Sequence, residues 1–425
     1  MKSFELAKRI FHMQRSVSSI ANDQTLKFLK NYCNGNLVLR SFEKEYYGTW
    51  KTPKKWNLKC AKILDLNDNV LISSSENSLH VVAHSVSVDD VISSKELIEK
   101  YIYTDVSRPN SIPYVTSYYD KAWGFCMSKN SLSVLKKYEN LKVIIDSEFY
   151  DEGVTYAECF IPGSTDREIL ISSYVCHPGM ANNEVSGMLV VCDLINRFQQ
   201  FTERLPFGLR FLIWPETFGA IAFLHEQFEH VKSTNLGCLV LSCVGDGRAL
   251  SIVEDKNKSY ISKVSEAVLR EESKIRGIPF KKYDFRNRGS DERQFCSPKL
   301  DLDCATICNS KFGEYPEYHS SDDNLDIISQ SSLDMSVEVI SKVIQFLGLN
   351  RYPKLKTIGE PKLSELGIYP HRRNLNTQDN VMKLLNFCAY CDDKHDAIDI
   401  AELSNLTLNE YTNLFRLLQE HDVVE

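Results

Sequence analysis

Four polar residues stand after short apolar runs or in turn-rich loops, where catalytic side chains are commonly placed. His177, Glu216 and Asp246 each come just after an apolar run, and His319 lies in a loop of similar character. In an open α/β sheet the ligand crevice lies beyond the carboxyl ends of the strands, so such residues are positioned to contact a ligand. Two imidazoles and two carboxylates that converge on one rim have the composition of a zinc site with one carboxylate left as a base.

Each of these residues also has a purely structural explanation. A single histidine is usually a hydrogen-bonded surface or core residue. Glu216 could cap a helix, and Asp246 could close a turn between two glycines. Their joint placement after successive apolar runs favours a site without excluding the structural explanation.

The elements that would position these residues form an alternating pattern. Short apolar runs at 168–175, 209–214 and 239–241 predict buried strands, and apolar residues recur at helical spacing between the first two. Such alternation is typical of an α/β fold with a mostly parallel sheet. A further helix is predicted from Ser331, with Asp334 in a capping-box-like position, to Gly348.

Two other parts of the chain differ from this region in amino-acid composition and pattern. Residues 50–149 are rich in aromatic and β-branched residues and predict a separate β-rich insertion that could cover the cleft or form a dimer surface. Near the end, helical runs at 378–388, 398–404 and 408–419 resemble a winged helix-turn-helix with a trimmed wing. We therefore predict three domains: a discontinuous catalytic domain (1–49 and 150–352), the insertion (50–149) and a winged helix (360–425).

Composition excludes several classes of protein. The 425 residues are 43% hydrophobic and carry a net charge of −7, so no general positive field attracts nucleic acid. Met1–Ile20 has Glu5 within its apolar part and no apolar core typical of a secretion signal, which indicates a docking helix. No apolar stretch is long enough to span a membrane. Thirteen cysteines scattered in apolar runs indicate reduced thiols and predict a cytoplasmic protein.

Three short patterns do not predict sites. His225 and His230 are five residues apart and would lie on different faces of a helix. Cys388 and Cys391 have zinc-knuckle spacing but lack a second pair of ligands. The segment around Asp246 lacks the third glycine of a dinucleotide loop, so nucleotide chemistry is not supported.

Several longer motifs together resemble a bacterial aminopeptidase-like family with a C-terminal winged helix, often associated with polysaccharide biosynthesis. The resemblance covers nearly the whole chain. It rests on Cys-His-Pro at 176–178 with Ser-Gly at 186–187, Pro-Glu-Thr at 215–217, Cys-Val-Gly-Asp at 243–246, the segments 289–298 and 313–319, and the aromatic segments 112–119 and 123–126.

The resemblance implies a zinc aminopeptidase-like fold: a mixed, mostly parallel sheet sandwiched by helices, with the insertion and the winged helix attached. It implies His177, Asp246 and His319 as metal ligands and Glu216 as the catalytic base. Asn183 stands where that family has a bridging aspartate. Thr217 stands where a second carboxylate belongs, which suggests one zinc ion rather than two.

Asn183 is the main departure, because a neutral amide cannot balance the charge of zinc as a carboxylate does. Weak metal binding is therefore expected. A nearby loop carries Asp291, Glu292 and Arg293, which are predicted to contact substrate, the acids toward an α-ammonium and the arginine toward an anionic group. The alternative explanation for these three residues is that they form an ion-pair cluster on the surface. Tyr318, beside His319, is also predicted to contact substrate.

Two hypotheses about function follow. The first is a cytoplasmic zinc-dependent hydrolase of the aminopeptidase class, acting on a small peptide or amide such as an N-acylated sugar intermediate. The second is a catalytically impaired protein, on account of Asn183, that keeps the cleft for binding and serves as an accessory protein in surface-glycan production. DNA reading is disfavoured because residues 371–425 carry five basic against ten acidic side chains. A homo-oligomer through the winged helix or the insertion is a further prediction.

Overall fold

The computed structural model describes residues 2–201, 204–364 and 375–425. The strands in these ranges are β1 (Val38–Phe42), β2 (Tyr46–Tyr47), β3 (Trp50–Lys51), β4 (Lys55–Leu64), β5 (Val70–Ser73), β6 (Val88–Ser93), β7 (Ile102–Tyr103), β8 (Phe125–Cys126), β9 (Asn140–Tyr150), β10 (Val154–Ile161), β11 (Glu168–Tyr174), β12 (Gly208–Trp214), β13 (Asn235–Leu241), β14 (Leu250–Val253), β15 (Phe280–Tyr283) and β16 (Cys304–Cys308). The α-helices are α1 (Ser3–Ile10), α2 (Ile20–Tyr32), α3 (Ser94–Lys100), α4 (Leu132–Leu135), α5 (Ser186–Gln199), α6 (Phe218–Glu226), α7 (Phe228–Thr234), α8 (Tyr260–Arg276), α9 (Glu292–Phe295), α10 (Gln330–Leu347), α11 (Leu375–Tyr390), α12 (Ala397–Leu403) and α13 (Leu408–Glu420).

The main sheet has eight strands in the order β1-β10-β12-β11-β13-β16-β14-β15. Its centre, β12-β11-β13-β16, is parallel. Strands β10 and β14 run antiparallel to their neighbours in this block. Helices cover both faces, so the predicted mixed, mostly parallel sheet sandwiched by helices is confirmed.

The two faces of the sheet follow from strand geometry. Successive side chains of a strand point to opposite faces, and every residue of β11 is buried. Ile169 and Ile171 pack on the side of α5 and α10, whereas Leu170 packs on the side of α6. This explains why the strand is an uninterrupted apolar and small-residue run, as expected for a strand covered on both sides.

The predicted helices lie where expected, with starts that differ by at most three residues. The helix expected from Ser331 begins at Gln330, and its N-cap is Ser329, whose hydroxyl accepts a 3.1 Å hydrogen bond from the backbone N–H of Ser332. Three serines within four positions, 329, 331 and 332, offered alternative caps, and the extended backbone of Ser329 selects the first one.

The insertion is built on a second, antiparallel sheet in the order β5-β4-β9-β6. It has a core of its own, which includes Trp56, Ile63, Leu97 and Val143. The alternation of buried and partly exposed positions along β9 is the pattern of a sheet with one covered face. The exact domain limits remain a prediction.

The C-terminal segment forms the three expected helices, α11 to α13. The backbone of Lys354 exchanges hydrogen bonds with Glu425, and Lys356 donates to Val423, so the chain end closes the unit in place of a long wing. Helix α13 lies against α8, where the N–H of Leu408 donates a 2.8 Å hydrogen bond to Glu271. This face of the helix is therefore turned toward the larger domain.

Two further expectations can be compared with the described residues. No helix in the described ranges is long and apolar enough to cross a membrane. All thirteen cysteines are free thiols, and all but Cys60 are buried. Helix α1 docks through the buried residues Leu6, Ala7 and Ile10, as predicted for the N-terminal segment.

Candidate metal centre and its pocket

Two histidines that are far apart in the chain meet at the carboxyl edge of the sheet. His177 follows β11, and His319 lies in the loop between β16 and α10. Their ring centroids are 5.3 Å apart, and the Tyr114 ring lies 5.1 Å from each. Two imidazoles bound to one tetrahedral zinc at 2.0–2.1 Å hold their ring centres about 5 Å apart. The observed spacing fits a single shared cation.

The nitrogen atoms of the two rings are used differently. His177 Nδ1 lies 3.1 Å from the Glu184 carboxylate, and its Nε2 lies 3.9 Å from Glu216. His319 Nε2 is buried and has no hydrogen-bond partner among the described residues. A buried, unpaired ring nitrogen is costly unless a ligand completes it. This nitrogen is therefore an observation in favour of a bound group.

The pKa values of the two histidines shift in opposite directions, because His177 has a carboxylate neighbour and His319 does not. Burial, helped by the nearby His177, lowers the pKa of His319 to about 3. Burial also acts to lower the pKa of His177, but the hydrogen bond and charge of Glu184 outweigh it, and its pKa is raised. His319 is thus neutral near pH 7, the form in which imidazole binds a metal.

Glu216 stands at the end of β12, beside His177. Its Oε1 accepts a 2.6 Å hydrogen bond from the Ser290 hydroxyl, which fixes the carboxylate. Burial raises the pKa of Glu216, and the neighbouring His177 opposes the rise. A carboxylate with a raised pKa is suited to accept and return a proton near neutral pH.

Thr217 holds a strained backbone next to this carboxylate. Its φ of 67° is unusual for a β-branched residue, and such strain persists only where the surroundings enforce it. Here Asp291 accepts a 2.6 Å hydrogen bond from the Thr217 N–H, and the Thr217 hydroxyl accepts one of 2.9 Å from Arg293. The threonine is tied to the protein and offers no carboxylate.

Asn183 lies in a five-residue π-helical turn, Ala181–Val185, that precedes α5. Asp323 holds this turn by accepting hydrogen bonds from the backbone N–H of Asn182 and of Asn183. The Asn183 Oδ1 accepts a 3.3 Å hydrogen bond from Tyr174. Its buried Nδ2 has no partner in the part of the chain that the structure describes. The amide is thus only half satisfied, where a carboxylate would need no further acceptor.

Asp246 does not join the two histidines in this arrangement. Its Oδ2 accepts from Asn182 at 2.6 Å, and its Oδ1 accepts from the Arg248 N–H and from Ser310. Ser242, the first residue after β13, lies closer to the site, because its hydroxyl hydrogen-bonds Tyr174 at 2.6 Å. The contacts give Asp246 a structural role, and its predicted role as a ligand stays untested.

The acids of the 289–298 loop face the protein rather than the cavity. Asp291 accepts from Trp214 Nε1 at 2.8 Å and from the Thr217 N–H. Glu292 accepts from the N–H groups of Gly289 and Ser290. These contacts disagree with the expectation that both acids meet a substrate ammonium. The sequence did not reveal this burial, because two adjacent acidic residues have the same sequence whether they are buried or exposed.

Asp291, Arg293 and Tyr318 neighbour other candidate site residues, namely Glu216, Thr217 and His319. Burial and the nearby Glu216 raise the pKa of Asp291 to about 7. Arg293 is exposed and donates to Thr217. Tyr318 stacks on His319 with ring centroids 3.8 Å apart, and Arg108 donates to the Tyr318 carbonyl. Tyr318 therefore holds the imidazole of His319 in place.

A cavity of about 350 Å³ opens over these groups. One side of the cavity is the edge of the sheet. The other side, called the aromatic wall below, consists of Trp50, Tyr114, Tyr118 and Tyr119. The cavity is lined by Val17, Trp50, Tyr114, Thr116, Tyr118, Tyr119, Cys176, His177, Glu216, Thr217, Phe218 and His319. The insertion thus covers the cleft, which was one of the two roles considered for it.

A second set of ligand atoms lies on the other side of His177. Cys176, His177 and Glu184 have potential ligand atoms within 4.8 Å of one another. However, Glu184 is occupied by Arg15 and by the N–H groups of Cys176 and His177. Burial also raises the pKa of the Cys176 thiol well above its usual range, so it stays protonated and binds metal poorly. The Nε2 side of His177 is the better place for a cation.

Sequence reasoning missed several residues of this site. Glu184 lies seven positions after His177, in the turn Ala181–Val185, and this spacing carried no recognised signal. Ser242 had the better signal, since it directly follows a strand whereas Asp246 lies farther along the loop. Arg15 and Tyr114 come from distant segments, and only the packing of those segments reveals them.

Comparisons with known proteins agree with this architecture. Residues 4–350 match a family model described as a domain of unknown function (DUF4910), and residues 350–425 match a winged helix-turn-helix model. A Clostridium acetobutylicum protein, named as a candidate polysaccharide biosynthesis protein with an aminopeptidase-like domain, is 32% identical over 369 residues. The match covers 86% of this chain and 82% of that protein.

Solved structures are similar over most of the chain. A candidate peptidase from Clostridium acetobutylicum has a TM-score of 0.89 at 28% identity, covering 100% of this chain and 95% of that one. A zinc aminopeptidase from Bacillus subtilis has a TM-score of 0.56 at 11% identity, covering 81% of this chain and 94% of that one. A peptidase M28 precursor from Shewanella amazonensis has the same TM-score and identity, with coverage of 85% and 95%.

The last two likenesses show a shared fold alone, whereas the family model and the 32% identical relative span most of the chain. The chain therefore belongs to the DUF4910 family of bacterial aminopeptidase-like proteins and ends in a winged helix-turn-helix.

Proposed function

We propose that this protein is a zinc-dependent hydrolase of the aminopeptidase class that acts on a small amide or peptide. The observation that carries the proposal is the meeting of His177 and His319, with ring centroids 5.3 Å apart, beside Glu216 in a cavity of about 350 Å³. In this proposal the two imidazoles hold one zinc ion and Asn183 is a weak, neutral partner. Asp246 is left out because its oxygens are used elsewhere.

A zinc ion in such a site supplies Lewis-acid polarisation of the amide carbonyl and makes a bound water more acidic. Glu216 accepts the proton of the attacking water and returns it to the leaving amine. Ser290 keeps Glu216 oriented through a 2.6 Å hydrogen bond. Aromatic side chains line one side of the cavity and lower the local polarity around Glu216, which strengthens electrostatic interactions there.

The charges around the cavity favour an amino-terminal group over a carboxylate. Glu216 is the carboxylate among the lining residues, and no lysine or arginine belongs to the described lining. The faces of Trp50, Tyr118 and Tyr119 add favourable sites for an ammonium group. A substrate with a free amine or a neutral sugar amide fits this environment, and the name of the Clostridium relative is consistent with surface-polysaccharide biosynthesis.

The remaining parts of the proposal concern partners and location. The winged helix serves in protein contacts, including self-association, rather than in DNA reading, since its segment is acidic and α13 faces α8. The insertion is the other candidate for self-association. The thirteen free cysteines support a reducing, cytoplasmic location.

The test is a measurement of metal content together with hydrolysis. The purified full chain would be analysed for bound zinc and assayed with aminoacyl anilides, short peptides and N-acetylated amino sugars, with Glu216→Gln as the control. One zinc ion per chain with hydrolysis that Glu216→Gln abolishes is expected. A metal-free wild-type protein without hydrolysis after added zinc would contradict the proposal.

A second candidate function is a binding or accessory role without hydrolysis. It is favoured by Asn183 and Thr217, because neither supplies the charge that a catalytic zinc site normally has. The unpartnered Asn183 Nδ2 would then donate to a bound ligand. Ligand binding that is equal with and without zinc, and unaffected by Glu216→Gln, would favour this role.

A further inference from the structure

The carboxylate of Glu184, in the turn Ala181–Val185, contacts the backbone that follows β11 and the ring of His177. It accepts hydrogen bonds from the backbone N–H groups of Cys176 and His177 and lies 3.1 Å from His177 Nδ1. The side chain is fully buried, with 0% exposure. A fully buried carboxylate that contacts one ring nitrogen of a histidine fixes both the rotation of the ring and the position of its proton.

Arg15, from the loop between α1 and α2, completes this arrangement. Its Nε lies 2.6 Å from Glu184 Oε1 and donates at 3.2 Å to the His177 carbonyl. Its side chain is also 0% exposed, and its Nη1 donates to the Ile10 carbonyl at the end of α1. The guanidinium balances the charge of the buried carboxylate, and its two contacts hold Glu184 against the backbone of His177.

These contacts determine which nitrogen of the His177 ring faces the cavity. With its proton on Nδ1, directed at Glu184, the ring presents the lone pair of Nε2 toward Glu216 and the cavity. His319 has no comparable carboxylate and relies on stacking against Tyr318. The two histidines are therefore held differently: the orientation of His177 depends on the charged Glu184, and that of His319 depends on ring stacking.

We propose that Arg15 and Glu184 are positioning residues of the metal centre, which fix the tautomer and orientation of His177 from the N-terminal segment of the chain. The part of this proposal that concerns metal rests on the proposed function. A carboxylate behind a metal-bound histidine makes the ring a better ligand, and its loss typically weakens metal binding by 10- to 100-fold. Neither residue lies in the motifs that point to the site, and neither contacts the cavity.

The competing explanation is that Glu184 only anchors the backbone after β11. The chain offers a matched control, because Glu168 at the other end of the same strand is also buried and pairs with Arg210 at 2.9 Å. Glu184→Gln and Glu168→Gln each remove one buried charge from a Glu–Arg pair. Only Glu184→Gln removes a charge that contacts a predicted metal ligand, His177.

The experiment measures zinc affinity by competition with a chelator, and stability by thermal unfolding, for the full chain. Glu184→Gln is expected to weaken zinc binding by about 10- to 100-fold, whereas Glu168→Gln is expected to lower stability with unchanged zinc affinity. The double variant Arg15→Met/Glu184→Gln removes both buried charges, so it should recover stability but not zinc affinity. Equal zinc affinity of the wild type and the folded double variant would overturn the proposal.

A second readout keeps this test separate from the proposed function. In protein labelled with ¹⁵N-histidine, the His177 nitrogen shifts report which ring nitrogen carries the proton, with no metal required. At a pH above the raised pKa of His177, where the ring is neutral, the metal-free wild type is expected to carry its proton on Nδ1, and a neutral ring with its proton on Nε2 would overturn the proposal. If the wild type binds no zinc, the proposed function fails, and the histidine spectrum still decides the role of Glu184.

Discussion

The hydroxyl of Tyr174 donates a 3.3 Å hydrogen bond to the side-chain oxygen of Asn183, at the inner end of the candidate metal centre. The other end of this amide, Nδ2, is buried and has no partner among the residues described. A carboxylate at the same position would keep the bond from Tyr174 and carry no unpaired donor. The surroundings of residue 183 therefore satisfy the oxygen of the amide but not its nitrogen.

Replacing Asn183 with aspartate should strengthen zinc binding. The variant Asn183→Asp restores a negative charge next to the histidine pair, and we expect zinc affinity to rise by at least about 10-fold. Asn182→Asp is the matched control, because its side chain contacts Asp246 and a second carboxylate there should destabilise the fold instead. Equal zinc affinity of the wild type and Asn183→Asp would contradict the assignment of this position.

The two sides of His177 can be distinguished by single substitutions. His319→Ala should lower zinc affinity by at least about 100-fold, because it removes a ligand on the Nε2 side. Cys176→Ser should leave the affinity nearly unchanged, because the thiol lies on the Nδ1 side that Glu184 occupies. Chelator competition on both variants provides the measurement. The reverse order of effects would place the metal between Cys176 and Glu184.

The aromatic wall should contribute to substrate affinity rather than to the chemical step. Trp50→Ala is expected to raise KM by about 2- to 30-fold, the range of a cation–π contact of about 0.5–2 kcal/mol, with kcat little changed. Tyr46→Ala is the control, because Tyr46 is a nearby exposed aromatic residue outside the cavity lining. Steady-state kinetics on an aminoacyl anilide measures both variants. A loss confined to kcat would argue against a binding role for the wall.

His84 should make the stability of the insertion depend on pH. Burial lowers the pKa of His84 from about 6.5 to about 4, so between these values the unfolded chain takes up a proton that the folded chain does not. Stability is therefore highest above about pH 7 and falls as the pH drops through this window, by up to about 3 kcal/mol for this group.

The variant His84→Asn tests that effect, since asparagine tolerates the positive φ of 73° at this position. Denaturant unfolding at pH 7.5 and at pH 4.5 gives the free energy of unfolding of both proteins. The wild type should lose more stability than the variant on acidification. A larger loss in the variant would contradict the assigned direction of the pKa.

The winged helix should not bind duplex DNA. The N-terminal end of α13 is directed at α8 through the bond from Leu408 to Glu271, and DNA-reading helices use that end to contact bases. Fluorescence anisotropy with a duplex at low and physiological salt should show no salt-dependent binding at micromolar protein. Binding that weakens steeply with salt would instead show that α13 is accessible to nucleic acid.

Much of the candidate site could be predicted from the sequence. His177 and Glu216 stand directly after strands that apolar runs predict, and both lie at the cavity. Asp246 shows the limit of this reasoning, since its position in a loop after β13 did not reveal that its oxygens bind Asn182 and Ser310. Asp291 and Glu292 show the same limit, because burial depends on the loop's partners and not on residue type.

The sequence alone determined the three central strands β11, β12 and β13, the helices from α10 onward, the family and the identity of the groups able to do chemistry, because periodicity, capping and motif spacing are local properties of the chain. The tertiary structure alone decided that His319 meets His177, that Arg15 and Glu184 lie behind that ring, and that aromatic side chains line one side of the cavity. Those contacts join segments far apart in the chain, and their geometry depends on how whole elements pack against one another.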